Sequence, residues 1–111
     1  MIANRLAPVH PGEILLEEFM KPLSISQNQL GRELKVSPRR INEIVHGKRE
    51  ITTDTALRLA KYFRVSPEFW LNLQNRYNLD LAEDKRLKEK IFREVGSCAS
   101  RIKPGAEAVR A

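Results

Sequence analysis

The sequence predicts an all-α protein, a compact bundle of five helices followed by a more highly charged C-terminal helix and a flexible tail. Two observations predict this class. Helix-starting residues recur along the chain, including Ser37-Pro38 and Ser66-Pro67, where a capping residue precedes a proline at the first helical position. Strand signals are sparse, because the sequence has no Asn-Gly or Asp-Gly turn and no long alternation of apolar and polar residues.

Each of the five bundle helices has a start signal. In chain order, these signals are Pro11, Ser26, Ser37, Thr53 and Ser66. Pro22 is expected to end the first helix near Met20, since a proline disfavours helical backbone in the residue before it. Gly47 is expected to end the third helix, because glycine readily takes the left-handed conformation.

The predicted organisation has four parts. They are an N-terminal arm over 1–10, a helical domain over 11–78, a C-terminal helix over 79–95 and a flexible tail over 96–111. The C-terminal helix carries only a narrow apolar stripe, which suits packing on a neighbour or on another subunit. The tail contains glycine, serine, proline and other small residues, which favour flexibility.

Composition excludes several classes of protein. The chain has 111 residues, of which 41% are hydrophobic and 31% charged, as is typical of one soluble domain. No apolar run is long enough to span a bilayer and no secretory signal is visible, so we expect a cytoplasmic protein without a membrane partner. The single cysteine, Cys98, excludes an internal disulfide framework and any multi-cysteine metal site.

The charge favours a polyanionic partner. The formal net charge is +6, and basic side chains crowd into residues 32–49, where only Glu33 and Glu43 oppose them. The basic side chains in this stretch are Arg32, Lys35, Arg39, Arg40, Lys48 and Arg49.

The same stretch has the pattern of a helix-turn-helix. The second and third helices are joined by only Lys35-Val36, and helices joined this closely cross at a large angle. Gly31 is small at the point where the two helices must approach each other. Lys35 occupies a turn position that often holds glycine because φ is positive there, which is expected to strain the backbone by ~1 kcal/mol.

Helical periodicity buries Ile41, Ile44 and Val45, so the opposite face of the third helix points outward. Arginine can pair with guanine, asparagine with adenine, and glutamate can accept from cytosine. The predicted base-reading residues are Pro38, Arg39, Arg40, Asn42 and Glu43. The predicted contacts to the DNA backbone are Ser26, Gln27, Ser37, His46, Lys48 and Arg49. The alternative for each of these side chains is an ordinary solvated surface.

A dimer is also expected. One recognition helix touches only a few base pairs, so specificity generally requires two half-sites about one helical turn, ~34 Å, apart. The apolar content of the fifth helix and the stripe of the C-terminal helix are the candidate two-fold contact. The residues of this predicted interface are Trp70, Leu71, Leu73, Leu87 and Ile91.

Neither an enzyme nor a cofactor-binding protein is expected. The sequence shows no nucleophile–base pair and no phosphate-binding loop. His10 and His46 are far apart in sequence and have no accompanying carboxylate cluster, so no metal site is predicted. Phe69-Trp70 could stack on a base, but its helical spacing with Leu73 favours core packing or a dimer contact.

Several sequence blocks resemble the HigA/VapI-type antitoxins of the lambda-repressor-like (Xre) helix-turn-helix group. The resemblance covers roughly residues 8–79. Its blocks are His10-Pro11-Gly12-Glu13-Ile14-Leu15, Glu17-Glu18-Phe19, Arg40-Ile41-Asn42-Glu43-Ile44, Gly47-Lys48-Arg49-Glu50-Ile51-Thr52, Asp54-Thr55-Ala56-Leu57-Arg58-Leu59-Ala60 and Pro67-Glu68-Phe69-Trp70-Leu71-Asn72-Leu73-Gln74.

The resemblance implies a lambda-repressor-like five-helix domain that binds, as a homodimer, an operator palindrome in its own promoter. It also implies a complex with a small RelE/HigB-like toxin that cleaves mRNA, which the antitoxin neutralises. Two alternatives remain open. One is a solitary Xre-type regulator without a toxin partner, and the other is a protein–protein adaptor that no longer binds DNA.

Overall fold

The computed structural model describes residues 7–99, and within this range every regular element is a helix, as the sequence predicts. Helix α1 comprises the consecutive segments Pro11–Ile14, Leu15–Met20 and Lys21–Leu23, of which the middle one is π-helical. The helices that follow are α2 (Gln27–Leu34), α3 (Pro38–Val45), α4 (Thr53–Phe63), α5 (Pro67–Asp84) and α6 (Leu87–Glu94). The chain divides into two compact units after Leu81, and the helix-turn-helix lies in the first.

Serine caps begin three of the helices where the sequence predicts them. The hydroxyls of Ser26, Ser37 and Ser66 each accept from the amide three residues further on, at 3.1, 3.1 and 3.2 Å respectively. Each bond satisfies one amide that the first turn of a helix leaves without a partner. The caps therefore fix where α2, α3 and α5 begin.

The predicted cap of α4 is wrong by one residue. Thr52, not Thr53, caps the helix, and its Oγ1 accepts from the amide of Thr55 at 3.4 Å. Thr52 has the extended backbone of a capping residue, whereas Thr53 is already helical. Because two adjacent threonines offer the same hydroxyl, the local sequence does not distinguish them.

Helix α1 does not end near Met20 but continues past Pro22. In its π-helical segment each backbone bond reaches one residue further back, and the amide of Lys21 donates to the carbonyl of Leu16. The wider turn accommodates a proline whose ring would clash with a carbonyl of a regular helix. Ser24, with a left-handed φ of 55°, ends the helix.

The helix boundary predicted at 78/79 lies inside α5, which is continuous from Pro67 to Asp84. No glycine or proline occurs in residues 68–84, so nothing in the local sequence ends the helix there. The break comes at Arg86, whose φ of 60° is left-handed. Residues 1–6 of the predicted arm and 100–111 of the predicted tail lie outside the described residues.

The core of the first unit is a continuous cluster of apolar side chains from α1 to α5. Its buried members are Leu15, Met20, Leu30, Leu34, Ile41, Ile44, Ile51, Ala56, Leu59 and Trp70. Trp70 is 0% exposed, and its ring centroid lies 4.9 Å from that of Phe19 and 5.0 Å from that of Phe69. The prediction that Trp70 lies in a dimer interface is therefore wrong, because a side chain enclosed by its own chain cannot touch a second one.

The start of α1 packs directly on α3. His10 caps α1, and its Nδ1 accepts from the amide of Gly12 at 2.9 Å. Gly12 lies so close to α3 that a Cβ added there would be 1.7 Å from the carbonyl oxygen of Ile44. The imidazole of His10 also meets the ring of Tyr77 edge-on, with 4.8 Å between centroids. The His10-Pro11-Gly12 motif thus joins α1, α3 and α5.

Gly12→Ala is expected to destabilise the protein by about 3 kcal/mol or more, because the new methyl group would overlap the backbone of α3. This loss outweighs the stabilisation of up to about 1 kcal/mol that alanine normally gives a helix. Gly96→Ala is the matched control, since its Cβ would have no atom within 4 Å. Urea unfolding measures both variants, and equal midpoints would contradict the close approach of α1 and α3.

The second stability prediction concerns pH. Burial lowers the pKa of the His10 imidazole below its ordinary 6.5, and Glu13 and Glu50 oppose this shift only in part. Only an unprotonated Nδ1 can accept the amide of Gly12. The stabilisation is therefore complete above pH 6.5 and is lost as pH falls from there through the lower pKa of the folded state.

The matched variant for this prediction is His10→Asn, which keeps an N-cap acceptor but does not titrate. Thermal unfolding from pH 7.5 to pH 5, about the window in which histidine titrates, should show a steeper decline for the wild type than for the variant. Parallel declines would mean that His10 does not carry this pH dependence.

Candidate nucleic-acid interface

The turn between α2 and α3 is as tight as the sequence predicts. Lys35 has a φ of 62°, the left-handed conformation expected at this position, and Val36 then donates to the carbonyl of Gly31 at 2.9 Å. A Cβ on Gly31 would lie 3.1 Å from the carbonyl oxygen of Val36 and 3.2 Å from the nitrogen of Pro38. Gly31 thus allows the two helices to approach each other, and the turn fixes their crossing.

Helix α3 turns its apolar face inward and its polar face to solvent. Ile41 and Ile44 are fully buried, whereas the Arg39 side chain is 84% exposed. Asn42 and His46 are exposed along the same outward face. The structure therefore gives α3 the orientation that its periodicity predicts.

Glu43 lies between two arginines on this face. Its Oε2 accepts from Nε of Arg39 at 3.0 Å, and its Oε1 accepts from Nε of Arg49 at 2.8 Å. The hydrogen bonds from Arg49 and then Arg39 lower the pKa of the Glu43 carboxyl, so it is ionised at neutral pH. Two predicted base readers, Arg39 and Glu43, and one predicted backbone contact, Arg49, thus form one ion cluster.

A second link joins the head of α2 to the middle of α3. Nδ2 of Asn42 donates to Oε1 of Gln27 at 3.0 Å. The backbone oxygen of Asn42 lies 2.8 Å from Nδ1 of His46. The structure thus brings together three predicted DNA contacts from two helices.

Arg40 is directed away from the outward face, towards the start of α4. Its NH1 donates to Oδ1 of Asp54 at 3.0 Å and to Oγ1 of Thr55 at 3.3 Å. Asp54 also accepts from Nε of Arg58 at 2.7 Å, and NH1 of Arg58 donates to the carbonyl of Leu34 at 2.9 Å. The bonds from Arg58 and then Arg40 lower the pKa of Asp54. This network holds the helix-turn-helix against α4.

The remaining predicted contacts lie at the helix starts and in the loop after α3. Ser26 and Ser37 are exposed while their hydroxyls cap α2 and α3. Lys48 and Arg49 are exposed on the loop, and the amide of Lys48 donates to the backbone carbonyl of Glu43 at 2.8 Å. The loop therefore holds both basic side chains beside α3.

A buried glutamine, which sequence reasoning missed, anchors the end of this loop. Oε1 of Gln74 accepts from the amide of Ile51 at 2.7 Å, and its Nε2 donates to Oδ1 of Asn78 at 3.1 Å. Gln74 is 4% exposed and Ile51 is 1% exposed, so neither polar group has ready access to water. The sequence does contain one signal of this buried residue, since Gln74 lies among the apolar residues of the fifth helix.

Gln74→Leu should destabilise the fold by about 1–3 kcal/mol, because it leaves the buried Ile51 amide without an acceptor. Asn75→Leu is the control, since Asn75 is exposed one position further along α5. Urea unfolding reports the stability, and hydrogen exchange reports the Ile51 amide itself. An unchanged exchange rate at Ile51 in Gln74→Leu would contradict this anchoring role.

Known proteins that are similar to this chain belong to a helix-turn-helix family, in agreement with the arrangement of α2 and α3. The helix-turn-helix family model HTH_3 matches residues 16–70. Virulence-associated protein I of Dichelobacter nodosus is 51% identical over 83 residues, which cover 75% of this chain and 77% of that protein. The chain belongs to the Xre-type helix-turn-helix family of HigA and VapI proteins.

Solved structures of the HigA/VapI family share the fold. The Pseudomonas aeruginosa antitoxin HigA, solved with the higBA promoter, superposes with a TM-score of 0.76 at 43% identity, covering 82% of this chain and 98% of that one. An addiction module antidote protein of the HigA family from Coxiella burnetii superposes with a TM-score of 0.75 at 48% identity, with the same coverage of 82% and 98%.

The four other residues of the predicted dimer interface lie on α5 and α6. Leu71 and Leu73 are half-buried on α5, and Leu87 and Ile91 are exposed on α6, so their dimer role stays a prediction.

No described helix is long and apolar enough to cross a membrane. Within residues 7–99, no three potential metal ligands of the His, Cys, Asp or Glu type lie together.

Proposed function

We propose that this chain is a sequence-specific DNA-binding repressor of the HigA type, which inserts α3 into the major groove of its operator. The observation that carries the proposal is the outward face of α3, where Arg39 is 84% exposed while Ile41 and Ile44 on the opposite face are fully buried. A helix fixed in this way can present a constant set of side chains to base edges.

Arg39 and Asn42 are the side chains best placed for direct base reading. With Nε of Arg39 engaged by Glu43, its NH1 and NH2 remain as a pair of donors for guanine O6 and N7. Asn42 donates one Nδ2 hydrogen to Gln27, which leaves its second hydrogen and its Oδ1 for adenine. Pro38, at the head of α3, would lie against the same groove, whereas the bonds from Arg40 to α4 favour a supporting role.

Backbone contacts would flank the readers on both sides. Gln27 and the helix starts at Ser26 and Ser37 lie on one side, where exposed helix N-termini favour phosphate. Lys48 and Arg49 follow α3 on the other side, with His46 at the end of the helix. A net charge of +6 would add a general attraction to the duplex.

The same proposal includes a homodimer and a toxin partner. Family membership supports a HigBA-like module, in which this chain would bind its operator as a dimer and neutralise an mRNA-cleaving toxin of the RelE/HigB type. The candidate dimer contact is now Leu71, Leu73, Leu87 and Ile91, since Trp70 is enclosed in the core. Co-purification of the natively expressed chain tests the toxin partner, and sedimentation with and without operator tests the dimer.

The DNA-binding proposal is tested by paired substitutions. Arg39→Ala should weaken operator binding by about 1–3 kcal/mol and relax preference at one base pair, because it removes a base contact. Lys48→Ala should weaken binding to all sequences alike and lower the salt slope by about one, because it removes a phosphate contact. Gel-shift titrations at several salt concentrations measure both effects.

Two outcomes of these titrations would count against the proposal. Unchanged operator preference in Arg39→Ala would show that α3 does not face the groove as proposed. A wild-type chain that binds no DNA at any salt concentration would instead favour an adaptor that acts only through protein contacts.

A further inference from the structure

Arg39, Glu43 and Arg49 form a hydrogen-bonded group, the Glu43 cluster, which bears on how the guanidinium of Arg39 is oriented. The Glu43 side chain is 24% exposed, and each of its two carboxylate oxygens already accepts a hydrogen bond from an arginine, Arg39 or Arg49. Arg39 precedes Glu43 by one helical turn, whereas Arg49 reaches it from the loop after α3. The cluster thus joins the outward face of α3 to the following loop.

We propose that Glu43 is a specificity-determining positioning residue, which holds the guanidinium of Arg39 by its Nε so that NH1 and NH2 face a guanine. The inference rests on the proposed DNA-binding function. It gives Glu43 a different role from the expected acceptance of a hydrogen bond from cytosine, because both of its oxygens are already bonded to arginines that could themselves contact DNA.

The physical gain comes from preorganisation. A free arginine side chain samples many rotamers and loses that freedom when it pairs with a base. An arginine held at Nε has already lost part of it, and its guanidinium plane has a defined direction. The interaction therefore favours the base whose acceptors match that direction, and a guanine presents two such acceptors in the major groove.

The net charge of the Glu43 cluster also supports a role of Glu43 in specificity. Two arginines and one carboxylate sum to +1, so Glu43 reduces the attraction of this face for any phosphate backbone. A residue that lowers general attraction while orienting a base reader improves discrimination between operator and other DNA. Removing its charge should have the opposite effect on both quantities.

The direct experiment uses Glu43→Gln in the full chain. Operator and unrelated duplexes of equal length are titrated at several salt concentrations, and each operator base pair facing α3 is varied in turn. We expect Glu43→Gln to lose about ten-fold in discrimination at the guanine read by Arg39, the amount one bidentate base contact supplies. We also expect it to bind the unrelated duplex a few-fold more tightly.

A charge-matched control separates orientation from electrostatics. Glu33→Gln removes one negative charge from an exposed position on α2. It should strengthen binding to both duplexes without changing preference at the guanine. Urea unfolding of both variants checks that the fold is intact, and equal losses of discrimination in the two would overturn the positioning role.

The decisive measurement is a double-mutant cycle with Arg39. If Glu43 acts through Arg39, Glu43→Gln changes base preference in the wild-type background and has no further effect on preference in Arg39→Ala. An equal effect in both backgrounds would show a direct contact of Glu43 with DNA. That result would overturn the positioning role of Glu43 but not the proposed DNA-binding function. A wild-type chain without operator preference would overturn the proposed function first, and the inference with it.

A spectroscopic readout on the free protein is independent of DNA. The Nε–H of Arg39 should exchange more slowly in the wild type than in Glu43→Gln and should have a distinct resonance, because it is bonded to Glu43. Both signatures should weaken in Glu43→Gln, because its single neutral acceptor oxygen would be shared between two arginines, and should persist in Glu33→Gln. An Arg39 Nε–H that exchanges freely in the wild type would contradict the geometry on which the inference depends.

Discussion

The backbone contact between α1 and α3 is the constraint on which the outward face depends. Gly12 lies against the carbonyl of Ile44 with no room for a Cβ, and Ile44 is itself fully buried. A helix held by its backbone on one side and by buried isoleucines can neither rotate nor slide without opening the core. Whatever α3 presents to solvent is therefore set by packing that no surface residue provides.

Polar contacts then fix the parts that apolar packing leaves free. Gln74 anchors the loop end at Ile51, and Asp54 joins Arg40 of α3 to Arg58 of α4. The Asp54 pairs are exposed, so their contribution to stability is small compared with that of the core. These polar contacts instead fix positions: the Asp54 pairs hold α3 beside α4, and Gln74 holds the end of the loop.

The sequence predicted the features that depend on local spacing. The caps at Ser26 and Ser37, the close approach at Gly31 and the inward face of α3 all follow from residue type and helical period. Other features depend on tertiary contacts between distant segments. Arg40 meets Asp54 across 14 residues and Gln74 meets Ile51 across 23, and no local pattern records which partner a long polar side chain will find.

The predictions at Pro22 and Trp70 are wrong for two different physical reasons. The predicted helix end near Met20 rests on the usual effect of a proline on a regular helix, but the π-helical segment before Pro22 changes the local hydrogen bonding. The prediction that Trp70 lies in an interface is wrong because large aromatic residues suit both interfaces and cores, and only the packing of α5 distinguishes the two.

The hydrogen bonds of the Glu43 cluster are a further feature that the sequence does not reveal. In the sequence Arg39, Glu43 and Arg49 look like three independent DNA contacts, whereas their hydrogen bonds join them into one unit. A substitution at any one of them therefore changes the hydrogen bonds of the others, so under the proposed function base preference would belong to the cluster rather than to single residues.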